Sequence, residues 1–215
     1  MWVSTVQRIR GKRTFADVLR DIGPAAEARL RPRFEQVNVP YPPSAITLIG
    51  LKKERQLKLW AKSNASSVRI PVHSYAITAA SGKPGPKLRE GDLQVPEGRY
   101  RIIGLNPNSS YHLSMKLDYP NEFDRRNARR EDRSNPGGDI FIHGKAVSIG
   151  CIAVGDEAIE ELFTLVARIR KANVKVLIAP NDLRKGPPAT ESARPWLPEL
   201  YNDLARGMRE LDTSR

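Results

Sequence analysis

The segment FIHGKAVSIGC, residues 141–151, contains the only cysteine of the chain and one of its three histidines. His143 ends a strand-like run, and Cys151 follows a Ser-x-Gly turn eight positions later. A thiol becomes a strong nucleophile when a base or a cation lies close by and solvent can reach it. The segment therefore predicts a strand and a turn that bring imidazole and thiol together, as the base and nucleophile of acyl transfer.

The glycine before the cysteine supports this interpretation. Gly150 allows a tight backbone turn, so that the amides of Gly150 and Cys151 can face a developing oxyanion. The alternative is that Cys151 is a small buried apolar residue, as lone cysteines commonly are. Spacing alone leaves both interpretations open.

Upstream of this segment, apolar and polar residues alternate between residues 46 and 142, and clusters of Gly, Pro and Asn separate the runs. A period of two predicts a series of strands. Residues 14–36 instead repeat their apolar positions at helical spacing, with Thr14 as a possible cap. The prolines of VNVPYPPSA, residues 37–45, favour extended backbone between the two regions.

Downstream, two stretches with helical periodicity flank one strand-like run. Residues 156–173 carry acids near the start and bases near the end, as the helix dipole favours. VKVLIAP, residues 174–180, predicts a strand, and residues 195–211 predict a C-terminal helix. We expect an α+β protein with a helical N-terminal segment, a mainly β catalytic domain and a C-terminal helical extension, at residues 1–40, 41–182 and 183–215.

The composition, 40% hydrophobic and 28% charged over 215 residues, is that of an ordinary globular protein. No run of about 18 apolar residues predicts a membrane span. A single cysteine excludes an internal disulfide. The N-terminal residues 1–13 are basic but are not followed by an apolar segment, so we expect either a cytosolic protein or a targeting segment that is absent from this chain.

The formal net charge of +12 predicts attraction to polyanions, of which nucleic acid is one. However, the Lys and Arg residues are spread along the chain and no known nucleic-acid-binding motif accompanies them. The densest basic run, DRRNARREDR at residues 124–133, predicts a solvated loop, with an anion-binding surface as the alternative. Three scattered histidines do not provide a metal site, so we expect no metal.

Two segments together resemble a known family. They are HG-xxx-S-x-G-C-I, which starts at His143, and GPKLREGDLQVPEGRYRI, residues 85–102. Both are similar to the L,D-transpeptidase catalytic domain (YkuD type), in particular its YafK-like branch, and the similarity runs from about Ile46 to Pro180. The resemblance implies a sandwich-like or barrel-like β fold. It also implies an enzyme of the periplasm or cell envelope that acts on peptidoglycan stem peptides through a cysteine acyl-enzyme, without a cofactor.

The resemblance also implies roles for single residues. Cys151 is the expected nucleophile, His143 the base, and the amides of Gly150 and Cys151 the oxyanion hole. The base histidine of the family is often oriented by a backbone carbonyl rather than by a carboxylate. Candidate substrate-binding residues, each with a structural role as the alternative, are Ser148, His112, Tyr111, Tyr119, Asn121 and Arg125.

The sequence departs from the commoner family members in ways that affect the expected reaction. Ile149 stands where they have a second histidine, and the loop between His143 and Cys151 is short. These are traits of the YafK-like branch, for which hydrolysis is at least as plausible as transpeptidation. The hypotheses are a transferase that joins a stem peptide to a second stem or a lipoprotein, an amidase that cleaves such a link, and a non-enzymatic module that binds envelope anions or nucleic acid. For the enzymes, the expected partner is peptidoglycan and not nucleic acid.

Overall fold

The structure, a computed structural model, describes residues 11–62 and 68–212, and this part of the chain forms five α-helices and nine strands. The basic residues 1–10, on which the targeting expectation depends, lie outside the described residues. The helices are α1 Phe15–Asp21, α2 Gly23–Gln36, α3 Glu122–Arg130, α4 Asp156–Ile169 and α5 Leu197–Asp212. The strands are β1 Ile46–Leu51, β2 Gln56–Lys62, β3 Arg69–Ala76, β4 Ala79–Ala80, β5 Gly98–Ser109, β6 His112–Leu117, β7 Phe141–His143, β8 Ile152–Ala153 and β9 Val174–Ala179.

The strands form one mixed sheet in the order β3-β2-β1-β9-β5-β6-β7-β8-β4. The long strand β5 joins its two halves, because residues 98–101 pair with β9 and residues 102–109 pair with β6. Two pairs are parallel, β1 with β9 and β7 with β8, and the other pairs are antiparallel. The expected α+β, mainly β fold is confirmed.

Helices cover both faces of the sheet at β1 and β9, so β1 is buried along its whole length. Leu48 belongs to the core cluster that includes Phe34 of α2 and Phe163 of α4. Ile49, the next residue, belongs to a second cluster that includes Leu204 of α5. Each fully buried side chain of this size contributes about 1.5–3 kcal/mol to folding. The N-terminal and C-terminal helices therefore share their cores with the central strands.

The predicted helices over residues 14–36, 156–173 and 195–211 correspond to α1 with α2, α4 and α5. The prediction of a loop over residues 124–133 is wrong, because α3 extends to Arg130. Asn121 caps this helix and forms a capping box with Asp124. Its buried positions are Asn127 and Ala128, and Phe123 packs against the second core cluster. Because Phe123 and Ala128 are the only apolar residues of this nine-residue helix, the sequence shows no repeated apolar period that would predict it.

A buried polar cluster ties α5 to the segment that precedes β5. Oε1 of Glu97 accepts from the amide of Gly85 at 2.7 Å and pairs with Nζ of Lys52 at 3.1 Å. The hydroxyl of Tyr201 in α5 donates to Oε2 of Glu97 at 2.8 Å. Nζ of Lys52 also donates to the carbonyls of Gly85 and Val95. The buried carboxylate and ammonium are thus paired and hydrogen-bonded, as burial of charge requires.

Candidate active site

His143 ends strand β7, and Cys151 directly precedes β8, which pairs with β7 in parallel. In the register of β7 and β8, Ile142 lies opposite Ile152 and His143 opposite Ala153. Continued by one residue, this register places Phe141 opposite Cys151. Side chains alternate along a strand, so Cys151 projects on the side from which Phe141 and His143 project. The pairing of β7 with β8 therefore places thiol and imidazole on the same side of two adjacent strands.

The imidazole of His143 is buried and its orientation is fixed. Nδ1 lies 2.7 Å from the carbonyl oxygen of Gly144. A carbonyl can only accept, so we assign the proton of the neutral ring to Nδ1, which leaves the lone pair on Nε2. The ring of Tyr111 packs against the imidazole, with centroids 4.5 Å apart and an angle of 32° between the planes. Burial lowers the pKa of His143, and the hydrogen bond to Gly144 opposes that shift in part. The ring is therefore a neutral base at pH 7.

The thiol of Cys151 is partly exposed to solvent and is protonated at rest. Burial raises the pKa of Cys151, and the negative charge of Asp139 adds to this shift. A hydrogen bond with the backbone of Phe141 and the positive charge of Lys87 lower the pKa and oppose the shift in part. Sγ lies 3.7 Å from the carbonyl oxygen of Asp139, and among the described residues it makes no hydrogen bond to the ring of His143. The resting pair is thus a neutral thiol and a neutral imidazole rather than a thiolate–imidazolium ion pair.

Two serine hydroxyls hold the turn that carries the cysteine. The amide of Cys151 donates to Oγ of Ser148 at 3.1 Å, and that hydroxyl donates to the carbonyl of Cys151 at 2.7 Å. The amide of Gly150 donates to Oγ of Ser81 at 2.6 Å, and the two hydroxyl oxygens are 3.4 Å apart. Gly150 has φ +113°, a backbone conformation that only glycine adopts without strain. Both amides that the sequence assigns to an oxyanion hole therefore already have side-chain acceptors.

Ser81 was not found by sequence reasoning. It follows the two-residue strand β4, which pairs with β8 beside the turn. Ser81 and Ser148 are 67 positions apart, and no local motif marks a serine that acts at such a distance. Only the pairing of β4 with β8 brings it to Gly150.

Tyr111 and His112 lie at the hairpin between β5 and β6. Tyr111 is partly exposed beside His143, which is compatible with the predicted lining role. His112 has Nε2 at 2.9 Å from Oε1 of Glu160, and Arg29 pairs with the other oxygen of that carboxylate. The contacts of His112 thus belong to an ion-pair cluster with α2 and α4.

The remaining candidates make contacts within the scaffold. Tyr119 is buried and donates to the carbonyl of Pro136 at 2.8 Å. Asn121 caps α3 and donates to the carbonyl of Arg99 at 2.9 Å, and Arg125 donates to the carbonyl of Pro120. In the described structure, Tyr119, Asn121 and Arg125 make no hydrogen bond or ring contact with His143 or Cys151. Their predicted substrate contacts stay predictions.

An open groove of about 730 Å³ includes Gln94 in its lining, and the carbonyl oxygen of Gln94 would lie 3.5 Å from a Cβ atom placed on Gly150. Its lining residues are Pro86, Leu88, Arg89, Glu90, Asp92, Gln94, Asp132, Arg133, Ser134, Asn135 and Arg194. Across residues 11–62 and 68–212, no group of three or more His, Cys, Asp or Glu side chains is placed to hold a metal ion. Within the same ranges, no helix is long and apolar enough to cross a bilayer.

Residues 47–178 match the sequence model of the L,D-transpeptidase catalytic domain, YkuD. The chain belongs to this family. Over 117 residues it is 37% identical to the protein named "Putative L,D-transpeptidase YafK" in two strains of Escherichia coli, K12 and O157:H7. The alignment covers 54% of this chain and 44% of the relative, so the chain spans less than half the length of these curated relatives. The expected YkuD-type family and its YafK-like branch are confirmed.

A solved structure supports the fold. The helical cell shape determining protein Pgp2 from Campylobacter jejuni superposes with a TM-score of 0.51 at 21% identity, over 64% of this chain and 48% of that protein. At that identity the similarity concerns the fold alone. Family membership supports a peptidoglycan-related function of the L,D-transpeptidase type.

Proposed function

We propose that this protein is a cysteine acyl-transferase that acts on peptidoglycan stem peptides, with Cys151 as nucleophile and His143 as base. The observation that carries the proposal is the fixed imidazole of His143 at the end of β7, whose Nδ1 donates to the carbonyl oxygen of Gly144. Cys151 directly precedes the neighbouring strand β8. A backbone carbonyl takes the orienting role that a carboxylate has in other nucleophile–base systems. Family membership supplies the substrate class.

The first half of the reaction is attack by a thiol that is deprotonated as it reacts. Sγ of Cys151 bonds to the carbonyl carbon of the stem amide, most simply that of meso-diaminopimelate, while Nε2 of His143 takes the thiol proton. The carbonyl oxygen becomes an oxyanion. The C–N bond then breaks, His143 gives its proton to the departing amine, and a thioester remains on Cys151.

The second half regenerates the enzyme. An amine of a second stem or of a lipoprotein attacks the thioester, and His143 takes a proton from that amine. The C–S bond breaks, Cys151 recovers its proton, and the new amide is the product. Water in place of the amine gives hydrolysis by the same steps.

Stabilisation of the oxyanion requires the turn to change its hydrogen bonds. The amides of Gly150 and Cys151 are the donors next to the nucleophile, but they bind Ser81 and Ser148 at rest. The substrate oxygen must therefore compete with two neutral hydroxyl acceptors. A developing negative charge is the stronger acceptor, so the exchange becomes favourable as the transition state forms.

A hydrolase at the same site is the second candidate. The partial exposure of Cys151 and the open groove beside it favour this alternative, because water can reach a thioester there. It would release a peptide or lipoprotein from the stem. In either case we propose the periplasm or cell envelope as the location, and the excess positive charge of the chain suits the anionic wall.

Product analysis tests both candidates. The protein is incubated separately with monomeric and dimeric stem muropeptides, and mass spectrometry follows the products and any adduct on Cys151. Dimer formed from monomer supports transfer, and loss of dimer supports hydrolysis. Absence of both reactions and of a thioester on Cys151 contradicts the proposal and leaves a binding module.

A further inference from the structure

Both walls of the groove approach the turn of residues 148–151, although no residue of that turn lines the groove. One wall ends at Gln94, whose carbonyl oxygen would lie 3.5 Å from a Cβ atom placed on Gly150. The other wall continues from Asn135 to Asp139, whose carbonyl oxygen lies 3.7 Å from Sγ of Cys151. A peptide that lies in the groove is therefore close to the turn that carries Cys151.

The wall that carries Arg89 is held rigidly by a buried network. The carboxylate of Asp92 accepts from the amides of Leu88, Arg89 and Gln94 at 2.7, 3.0 and 3.1 Å. It also pairs with Nζ of Lys87 at 2.6 Å. The backbone at Arg89 is thus fixed before any ligand arrives, which lowers the entropic cost of binding.

Arg89 is the arginine of the groove that lacks an acceptor. Arg133 and Arg194 both pair with Glu131, at 2.8 and 3.3 Å. Arg89 is exposed, and among the described residues its guanidinium has neither a hydrogen bond nor an ion pair. Guanidinium groups bind carboxylates through two parallel hydrogen bonds, so a ligand carboxylate would supply the missing partner.

The acidic residues of the groove narrow the ligand class further. Glu90 and Asp132 also line it, and Oε2 of Glu90 accepts from the amide of Gly138 at 3.3 Å. Two carboxylates would repel a purely anionic ligand. They favour one whose carboxylate is accompanied by an ammonium group, as in a free amino acid end.

We propose that the groove binds the zwitterionic amino acid end of the peptide substrate, and that Arg89 holds its carboxylate. The proposal rests on the proposed function for the identity of the peptide. It assigns specificity to Arg89 in place of Arg125, which donates to the carbonyl of Pro120.

Binding to a protein that cannot react tests this inference separately from the chemistry. In a Cys151→Ala background, calorimetry measures the Kd of a stem tetrapeptide that contains meso-diaminopimelate and of the same peptide with its carboxylates converted to carboxamides. Arg89→Gln is expected to weaken binding of the first peptide about tenfold or more. Binding of the carboxamide peptide should change little. Arg89→Lys should give an intermediate loss, because it keeps the charge without the paired donors.

A matched control is Arg20→Gln, which removes an exposed arginine that pairs with Asp17 and Asp21 on α1. It should leave both affinities unchanged. Equal losses for both peptides with Arg89→Gln, or no loss for either, would overturn the assignment of Arg89. If instead the intact enzyme forms no thioester while this binding pattern holds, the proposed function fails and the assignment of the groove stands.

Discussion

The central strands and the catalytic turn are held by different kinds of contact. At β1 and β9, side chains such as Leu48 and Val176 are fully buried among apolar neighbours from several helices. At the turn of residues 148–151, three hydrogen bonds join the backbone to two serine hydroxyls, a fourth joins those hydroxyls, and Ile149 is 74% exposed. Apolar burial is non-directional and offers no group that a substrate could replace, whereas hydrogen bonds to hydroxyls can be exchanged for hydrogen bonds to a substrate. Stability and reactivity should therefore respond to different substitutions.

The largest expected effect is on turnover. Cys151→Ala should lower turnover by about 10⁴-fold or more, because it removes the group that forms the thioester. The free energy of unfolding should change by less than about 1 kcal/mol, because the contact of Sγ with Asp139 is long and the side chain is partly exposed. Turnover assays and denaturant unfolding measure the two. A variant that unfolds would instead identify Cys151 as a structural core residue.

The opposite pattern is expected in the core. Leu48→Ala should lower the free energy of unfolding by about 2–5 kcal/mol, through lost burial and the cavity that remains. The rate constants of the folded fraction should stay close to those of the wild type. Ile103→Ala, at a position that is 45% exposed on β5, is the matched control and should cost well under about 1 kcal/mol. Equal costs at both positions would contradict the buried packing of β1.

The hydroxyl of Ser81 holds the turn and competes with the substrate oxygen for the same amide. Its substitution should therefore lower stability and raise the rate of acylation. Ser81→Ala removes the acceptor of the Gly150 amide, and this should cost about 1 kcal/mol of stability. Acylation of Cys151 should become about fivefold faster, because the substrate oxygen no longer displaces a hydroxyl. Ser81→Thr keeps a hydroxyl and serves as the control. Slower acylation of Ser81→Ala would show that Ser81 positions the turn for catalysis rather than blocking the Gly150 amide from the substrate oxygen.

The smallest expected effect is on pH dependence. His143 must be neutral to act as a base, and its pKa is lowered from the ordinary 6.5 by burial. A lowered pKa keeps the ring neutral to lower pH, so kcat/KM should be constant near neutrality and fall only below pH 6.5. Tyr111→Ala opens the face of the His143 ring to water. The pH below which kcat/KM falls should therefore move upwards, towards the ordinary pKa of 6.5. If kcat/KM of the wild type already falls at or above pH 6.5, the burial of the ring would be contradicted.

Thiol labelling must be interpreted with the same protonation state in mind. The pKa of Cys151 is raised, chiefly by burial, so reaction with an alkylating agent at neutral pH should be slower than that of a free thiol. Slow labelling is therefore compatible with catalysis in this protein. Formation of a thioester with the stem peptide is the more decisive measurement.

Sequence reasoning succeeded where the signal was periodic and local. The alternation at the start of β5 and the helical spacing in α4 and α5 reflect one-sided burial, which a single segment displays. Helix α3 was missed because it has only two apolar residues, Phe123 and Ala128, which are too few to show a helical period. Motif spacing also selected His143, which ends β7, and Cys151, which precedes β8, and their catalytic roles stay predictions.

The rest of the site could not be predicted, because it depends on contacts between distant segments. Ser81 reaches Gly150 only through the pairing of β4 with β8. Arg89 is one of many arginines in the sequence, and only the three-dimensional structure shows that its guanidinium has no acceptor among the described residues. The protonation state of Cys151 depends on burial and on Asp139 and Lys87, which motif spacing does not report.

The contact of Tyr201 with Glu97 determines how the chain should be divided for expression. A fragment limited to the family match, residues 47–178, would lack α5. It would leave the carboxylate of Glu97 without its phenol donor and expose the apolar side chains of β1 and β9 that pack against α5. Such a shortened fragment should self-associate, so production of the recombinant protein should retain everything through Asp212.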